Sequence, residues 1–302
     1  MARSETIVTL EQSEKRFARL IVLPGMIVLV LLVAGPLVYM FFNSFLSKTL
    51  AVHRPAQFIW FKNYGSLFAS SRFWTDFLHT ALIMVIGIPV QSVLALIIAL
   101  LLNKKFPGSR VILALFLIPV MITPVVAAFE WKIILDQRFG PLNYVLGFFG
   151  IAPRPWLARP GLAMTSILLV DTWQWTPFVT TVLLAGLASI PRQVYEASSV
   201  DGSSAFKTFW RVTMPLLRPI FALVILLRIV FIFKIFDPVQ ILTGGGPGTA
   251  TETLSFLTYT MGFTWFDVGM TATIAVIQLI IMTIIAQLFV RLVMNRKEGR
   301  AS

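Results

Sequence analysis

The sequence predicts an all-α integral membrane protein with six transmembrane helices and both termini on the cytoplasmic side. Three observations carry this: the composition, the length and spacing of the apolar runs, and the distribution of basic residues between them. Of 302 residues, 57% are hydrophobic and only 13% charged, and the mean hydropathy of +0.85 lies far outside the range of soluble globular domains. Cysteine is absent, which excludes disulfides, thiol nucleophiles and thiolate-bound metals. His53 and His79 are the only histidines, so a His-rich metal site has no support. The net charge of +12 comes from basic residues at the ends of apolar runs. Orientation in a bilayer explains them without any nucleic-acid partner. The segment before the first run places Glu5, Glu11 and Glu14 ahead of Lys15 and Arg16, unlike a cleavable signal.

A bilayer core of about 30 Å needs about 20 apolar residues in a helix rising about 1.5 Å per residue. Six stretches meet that length, at about 20–42, 77–102, 111–135, 161–187, 220–242 and 269–290. Pro24, Pro36, Pro89, Pro119, Pro124 and Pro177 fall inside them and are expected to kink rather than disqualify them, because packed neighbours satisfy the freed backbone groups. The segment 1–19, the connections after the second and fourth runs, and the tail 291–302 hold most of the 25 Lys and Arg residues. They include Arg3, Lys104, Lys105, Arg110, Arg192, Lys207, Arg211, Arg218 and Arg296. Excess positive charge marks the cytoplasmic side, which puts the transmembrane domain at 20–290, both terminal segments inside, and the connection 190–218 inside as well.

That connection is polar, basic and interrupted by glycine. Pro191 suits a first helical turn, Val194, Tyr195, Ala197 and Ser198 recur at helical spacing, and Asp201 with Gly202 offers a turn. Ser203 or Ser204 can cap a second helix in which Phe206, Phe209, Trp210 and Thr213 share a face, with Pro215 and Pro219 stopping or kinking it as the fifth run begins. Two readings fit a helical hairpin of this kind: an ordinary interfacial connection, or an element that docks in a groove of a partner.

The order of residues resembles the cytoplasmic loop shared by membrane subunits of ABC importers. That loop runs Glu-Ala-Ala, three residues, Gly, nine residues, Ile, one residue, Leu-Pro. Here Glu196-Ala197-Ser198 precedes Asp201 and Gly202, and Val212-Thr213-Met214-Pro215 closes the pattern at the same spacing. Ser198, Val212 and Met214 are the departures, all small or volume-similar. "DTWQWTPFVTTVLLAGLASIP" before the loop and "FDPVQILTGGGPGTATETLSFLTYTMGF" after it are similar to permeases of the carbohydrate-uptake branch, the maltose and glycerol-phosphate type.

The resemblance implies the type I importer permease fold with a cytoplasmic coupling helix, in the cytoplasmic (inner) membrane of a bacterium. It implies a second homologous permease subunit as heterodimer partner, two cytoplasmic ATPase subunits that bind ATP and Mg, and an extracytoplasmic solute-binding protein. It further implies that Glu196, Ala197, Asp201, Gly202 and Pro215 couple the permease to the ATPase. No cofactor is expected on this chain, and no Gly-x-x-x-x-Gly-Lys-Ser/Thr loop occurs in it. Gly244, Gly245, Gly246 and Gly248 lack the following lysine and are expected to form a tight turn on the outer side.

Charges at membrane depth are costly and normally face a cavity or a partner. Arg228, Phe231, Ile232 and Ile235 share one face at helical spacing and match the positions that line the sugar site in the maltose-type permease, where small polar side chains stand instead. Arg228 is therefore expected either to bond sugar hydroxyls or an anionic group, or to pair with Asp171 or Asp237. Asp171, Gln174, Asp237 and Val120 complete the candidate pathway, with Trp173 and Trp175 offering aromatic faces that packing also explains. His79 reads as a packed polar residue and Lys132 as snorkelling to water. A permease for a non-sugar solute, or a secondary transporter, is the competing reading; the latter has no use for the cytoplasmic hairpin and no visible inverted repeat supports it.

Overall fold

The computed structural model describes residues 2–52, 54–104 and 106–294, with side-chain surroundings from Ile21 to Arg291. His53, Lys105 and the basic tail residues Arg296, Lys297 and Arg300 lie outside the described residues. Among the described residues helix predominates, with thirteen α-helices, three short π-helical segments and two isolated β-bridges. Five helices are long and apolar enough to cross a membrane, or six if one sharply bent pair counts as a single span.

Residues 1–67 and 261–277 form one compact unit. Its helix α1 (Ala2–Asn43) contains the candidate span Ile21–Asn43, which is apolar and mostly exposed in this chain until its buried last residue, Asn43. Beyond it the backbone turns back on itself, and Asn63 on α2 (Lys62–Ala69) donates its amide to the carbonyls of Ser44 and Leu46 at 3.0 Å each. Phe45 packs against Phe41, Phe58, Phe61 and Tyr64.

The second unit, residues 68–260 and 278–302, is built on three helices. These are α3 (Ser71–Asn103), α8 (Pro160–Ala188) and α11 (Met214–Phe233). Between α3 and α8 come α4 (Ser109–Phe116), α5 (Ile118–Met121), α6 (Pro124–Ile134) and α7 (Pro141–Gly147). The chain continues with α9 (Arg192–Val200) and α10 (Ala205–Thr208), and after α11 with α12 (Leu254–Tyr259) and α13 (Val268–Met294).

Two buried clusters hold the three-helix core. One gathers Ile83, Ile167, Val170, Ile232 and Val239. The other gathers Ala95 and Ala99 on α3 with Val179, Leu183 and Leu187 on α8 and Leu217 and Val224 on α11. Lipid tails are as apolar as these side chains, so close approach rather than water exclusion drives such packing, and small residues sit at the contacts. At Gly186 a Cβ would stand 2.7 Å from Ile220 Cδ1 and 2.8 Å from Leu217 Cδ1, so hydrogen is what lets α11 lie against α8.

Three boundaries differ from expectation. The run 111–135 is bent far more sharply than a proline kink, with Ser109–Met121 and Pro124–Ile134 meeting at 98°. Ile122 and Thr123 are extended, with ψ of 137° and 144°, since Pro124 bars the helical conformation from the residue before it. The fifth run starts earlier than 220. Helix Ala205–Phe233 is continuous for 29 residues, and Phe209–Thr213 adopts a wider π-turn just ahead of Pro215, so Pro215 bends rather than stops it. It also ends earlier, at Phe233, and residues 234–236 are not helical. Ile235 and Asp237 therefore lie past the helix, off the face that Arg228 presents.

Gly186→Val should destabilise the folded protein by about 1–3 kcal/mol through overpacking against Ile220 and Leu217. Thermal unfolding in detergent reads this, with Gly147→Ala, whose Cβ meets nothing within 4 Å, expected to leave the transition in place.

Candidate functional site

The hairpin of the connection 190–218 is built by local rules. Helix α9 ends in two reversed hydrogen bonds, Ser203 N to Ser198 O at 3.1 Å and Gly202 N to Ser199 O at 3.1 Å, the paired bonds of a Schellman terminus. That geometry needs a left-handed residue at its centre, and Gly202 has φ +68°. Pro191 lies just before the helix as its cap residue, and Ser204, the expected alternative to Ser203, caps α10 by accepting from Lys207 N. A hydroxyl pair, Ser198 Oγ and Thr208 Oγ1 at 2.9 Å, clamps one arm to the other. Ser198 is where the importer loop pattern has Ala, so the departure supplies a bond that alanine lacks.

The outward face of this hairpin is unfilled. Glu196, Ala197, Asp201, Gly202 and Pro215 are all exposed, and the Glu196 carboxylate has no partner among the described residues. Val200, Phe206 and Trp210 project as large apolar side chains, Val200 with 87% of its surface exposed. A cleft of about 360 Å³ lies against the hairpin, lined by Ala197, Asp201, Lys207 and Arg211 among others.

Inside the unit, Arg228 is 1% exposed and joins all three core helices. Its Nη2 donates to Asp171 Oδ2 at 2.6 Å and its Nε to Gln91 Oε1 at 2.7 Å, while Gln91 Nε2 donates to the same Asp171 oxygen at 2.6 Å. The Trp175 ring lies 5.2 Å from the guanidinium carbon and tilts against Phe231, adding a cation–π contact. Of the two carboxylates open to Arg228, the structure selects Asp171. Arg228 Nη1 alone has no hydrogen-bond partner.

The remaining pathway candidates divide by exposure. Ile232 and Ile235 are packed in the core, Val120 and Asp237 are half-buried, and Phe231 is the most exposed, at 38%. Gln174 is buried and donates its amide to Ile122 O at 3.1 Å, at the break between α5 and α6. Its place in the fold is thus to satisfy a carbonyl that the bend exposes. His79 packs as expected, its Nδ1 3.0 Å from the carbonyl of Glu252, and the glycines from 244 to 248 form a turn with three positive φ values. Lys132 is exposed beside Glu130.

Sequence reasoning missed Gln91. Its signal was a lone amide in an otherwise apolar run, two residues after Pro89. Also missed was the bidentate pair of Arg72 with Glu252 at 2.7 Å, between residues 180 positions apart that no local pattern connects.

Residues 64–299 match the family described as binding-protein-dependent transport system inner membrane component. The chain is 38% identical over 272 residues to the probable ABC transporter permease protein y4oQ of Sinorhizobium fredii, covering 89% of this chain and 88% of that protein. It is 32% identical to the trehalose/maltose transport system permease protein MalF of Thermococcus litoralis, covering 86% of each. Its fold is that of a chain of a bacterial alginate ABC transporter crystallised with an alginate pentasaccharide-bound periplasmic protein, with a TM-score of 0.81 at 20% identity, covering 95% of this chain and 96% of that one.

Two outcomes test the site. Gly202→Ala should cost the turn about 1 kcal/mol, seen as about fivefold faster amide exchange at Ser203. Arg228→Leu and Asp171→Leu should each lower stability by about 3–5 kcal/mol by stranding a buried charge, while the double substitution recovers most of that loss in thermal unfolding of the reconstituted protein.

Proposed function

We propose that this chain, which belongs to the family of binding-protein-dependent transport system inner membrane components, forms half of the solute path of an ATP-driven importer of sugars. The family places it as a membrane permease subunit of the inner membrane, and hydrolysis belongs to separate ATPase chains. The finer assembly is part of the proposal. A second homologous permease completes the path as a heterodimer, two ATPase subunits holding ATP and Mg sit beneath it, and a solute-binding protein delivers from outside. The chain crosses the membrane six times with both termini inside, the bent pair of Ser109–Met121 and Pro124–Ile134 counting as one crossing.

The observation that carries the reading is the continuity of the hairpin with the core. Glu196 and the apolar side chains Val200, Phe206 and Trp210 are exposed on the outward face, on a loop whose second arm is the same helix that carries Arg228. A groove in an ATPase that engages this surface moves that helix as a body. Closure of the ATPase dimer on ATP then turns the path outward, and hydrolysis resets it. Glu196 anchors the hairpin to basic groups of the partner, Ala197 leaves room for close approach, Asp201 and Gly202 form its tip, and Pro215 fixes the bend above it.

Solute class follows from charge. Arg228 already has Asp171 as counter-ion, so this guanidinium is not free to bind an anionic group. Phe231 and Trp175 supply aromatic faces of the kind that sugars stack on. Phe231, Val120 and Asp237 are the residues with surface to line the path, and Arg228, Asp171, Gln174, Ile232 and Ile235 shape it from behind. A neutral sugar fits this better than an anionic one, in keeping with the trehalose/maltose relative.

Glu196→Ala should abolish ATP-driven uptake while the protein still inserts and pairs, and Glu196→Asp should restore part of it. Uptake of a labelled disaccharide into proteoliposomes, competed with neutral sugars, anionic sugars and amino acids, measures both the coupling and the class. Normal uptake by Glu196→Ala sinks the coupling role, and competition by anionic sugars or amino acids alone sinks the assignment to neutral sugars.

A further inference from the structure

The connection between α6 and α8 is pinned from within. Asn143 is buried, and its amide donates to the carbonyls of Gln137 at 3.2 Å and Arg154 at 3.0 Å, while its oxygen accepts from Arg154 N at 3.1 Å and Trp156 Nε1 at 2.9 Å. Asp136 Oδ1 accepts the backbone N–H groups of Arg138 and Phe139 at 2.8 Å each. The N–H of Phe139 and then that of Arg138 hold this carboxyl below its ordinary range. At the far end of α7, Ile151 N returns to Leu146 O at 3.1 Å, closing a Schellman turn.

This ordered loop turns its apolar side chains outward. Phe139 is 88% exposed, Phe149 76%, and Tyr144 and Phe148 each 72%, with Val145 beside them. Tyr144 and Phe148 pack edge to face at 5.0 Å. A cluster of this kind on a soluble surface marks an interaction site. Its basic residues Arg138, Arg154 and Arg159 are also exposed, and Asp136, the one acid in 136–159, is committed to backbone N–H groups.

We propose that α7 and its flanking turns are an interfacial anchor that lies in the headgroup region of the bilayer, with the phenylalanines in the acyl boundary and the three arginines on lipid phosphates. Two features favour lipid over a protein occupant. The loop joins two segments of membrane-crossing character, so its ends are held at the bilayer surface, and it continues the exposed apolar residues Phe129 and Ile133 of α6. Its charge is also complementary to acidic phospholipid, since basic residues beside an aromatic face are the pattern of surface-lying helices. The anchor would fix the outer ends of α6 and α8 at one depth while α11 moves.

The absence of cysteine makes a direct test clean. Phe148→Cys and Phe139→Cys, spin-labelled in the full transporter, are placed in vesicles of phosphatidylcholine with or without phosphatidylglycerol. Collision with oxygen, which partitions into lipid, should exceed collision with a water-soluble nickel chelate several-fold. A label at Gln193→Cys on the coupling loop should show the reverse. Phosphatidylglycerol should deepen the two loop labels, and Arg138→Gln/Arg154→Gln/Arg159→Gln should remove that deepening. Labels that stay open to the chelate in both vesicles overturn the proposal, as does protection that arises only when the solute-binding protein is added, which would make the patch a protein dock. An unchanged phosphatidylglycerol effect in the triple variant overturns the role of the arginines. None of these readouts depends on transport, so failure of the importer reading leaves them intact.

Discussion

The pairing of Arg228 with Asp171 and Gln91 is the constraint on which the rest of the interior depends. A guanidinium in an apolar bundle is tolerated when its charge is paired and hydrogen-bonded, as at Nη2 and Nε of Arg228. Here the partners come from two other helices, so α3, α8 and α11 are set in rotation and in depth by one cluster of donors and acceptors. Apolar contacts alone leave such choices loose, because a leucine face slides over another at little cost. The ion pair instead selects a single register, and the Ala95, Ala99 and Gly186 contacts lower on the same helices then fall into place against it.

A second demand comes from the bilayer itself, where an unpaired backbone group has no water to turn to. The chain breaks its helices at Pro124 and after Phe233, and at each break a side chain meets a freed carbonyl. Gln174 reaches Ile122, and Thr253 Oγ1 donates to the carbonyl of Ile235 at 3.0 Å. Within helices hydroxyls bond back to the preceding turn, as Thr181 Oγ1 does to the carbonyl of Pro177 at 2.9 Å. Polar residues in the spans thus divide between those that support backbone and those that carry charge, and residue type alone does not tell them apart.

That division explains what was legible. Apolar runs of membrane length, the turn at Gly202, the spacing from Glu196 to Pro215 and the packing of His79 all follow from local chemistry, and the structure forms the hairpin that this chemistry predicts. Helix ends at Met121 and Phe233 were not legible as ends: Pro124 reads equally as a kink within a span, and Lys234 and Asp237 read as charges inside one. The role of Gln91 was hidden for another reason: a lone amide in an apolar run marks a polar site but not its partners, and both of these are distant in sequence. Gln174 was visible but ambiguous, since an amide suits a sugar and a carbonyl equally well.

The unbroken helix from Ala205 to Phe233 has a mechanical consequence. Its length is about 43 Å at about 1.5 Å per residue, and its fixed point, Arg228, lies near one end. With that point as fulcrum, Phe206 sits on a radius of about 33 Å and Phe231 on one of about 5 Å. The rod is a reduction gear. If a partner drives the hairpin as proposed, a stroke of several ångströms there arrives beside the buried ion pair as a shift of less than one.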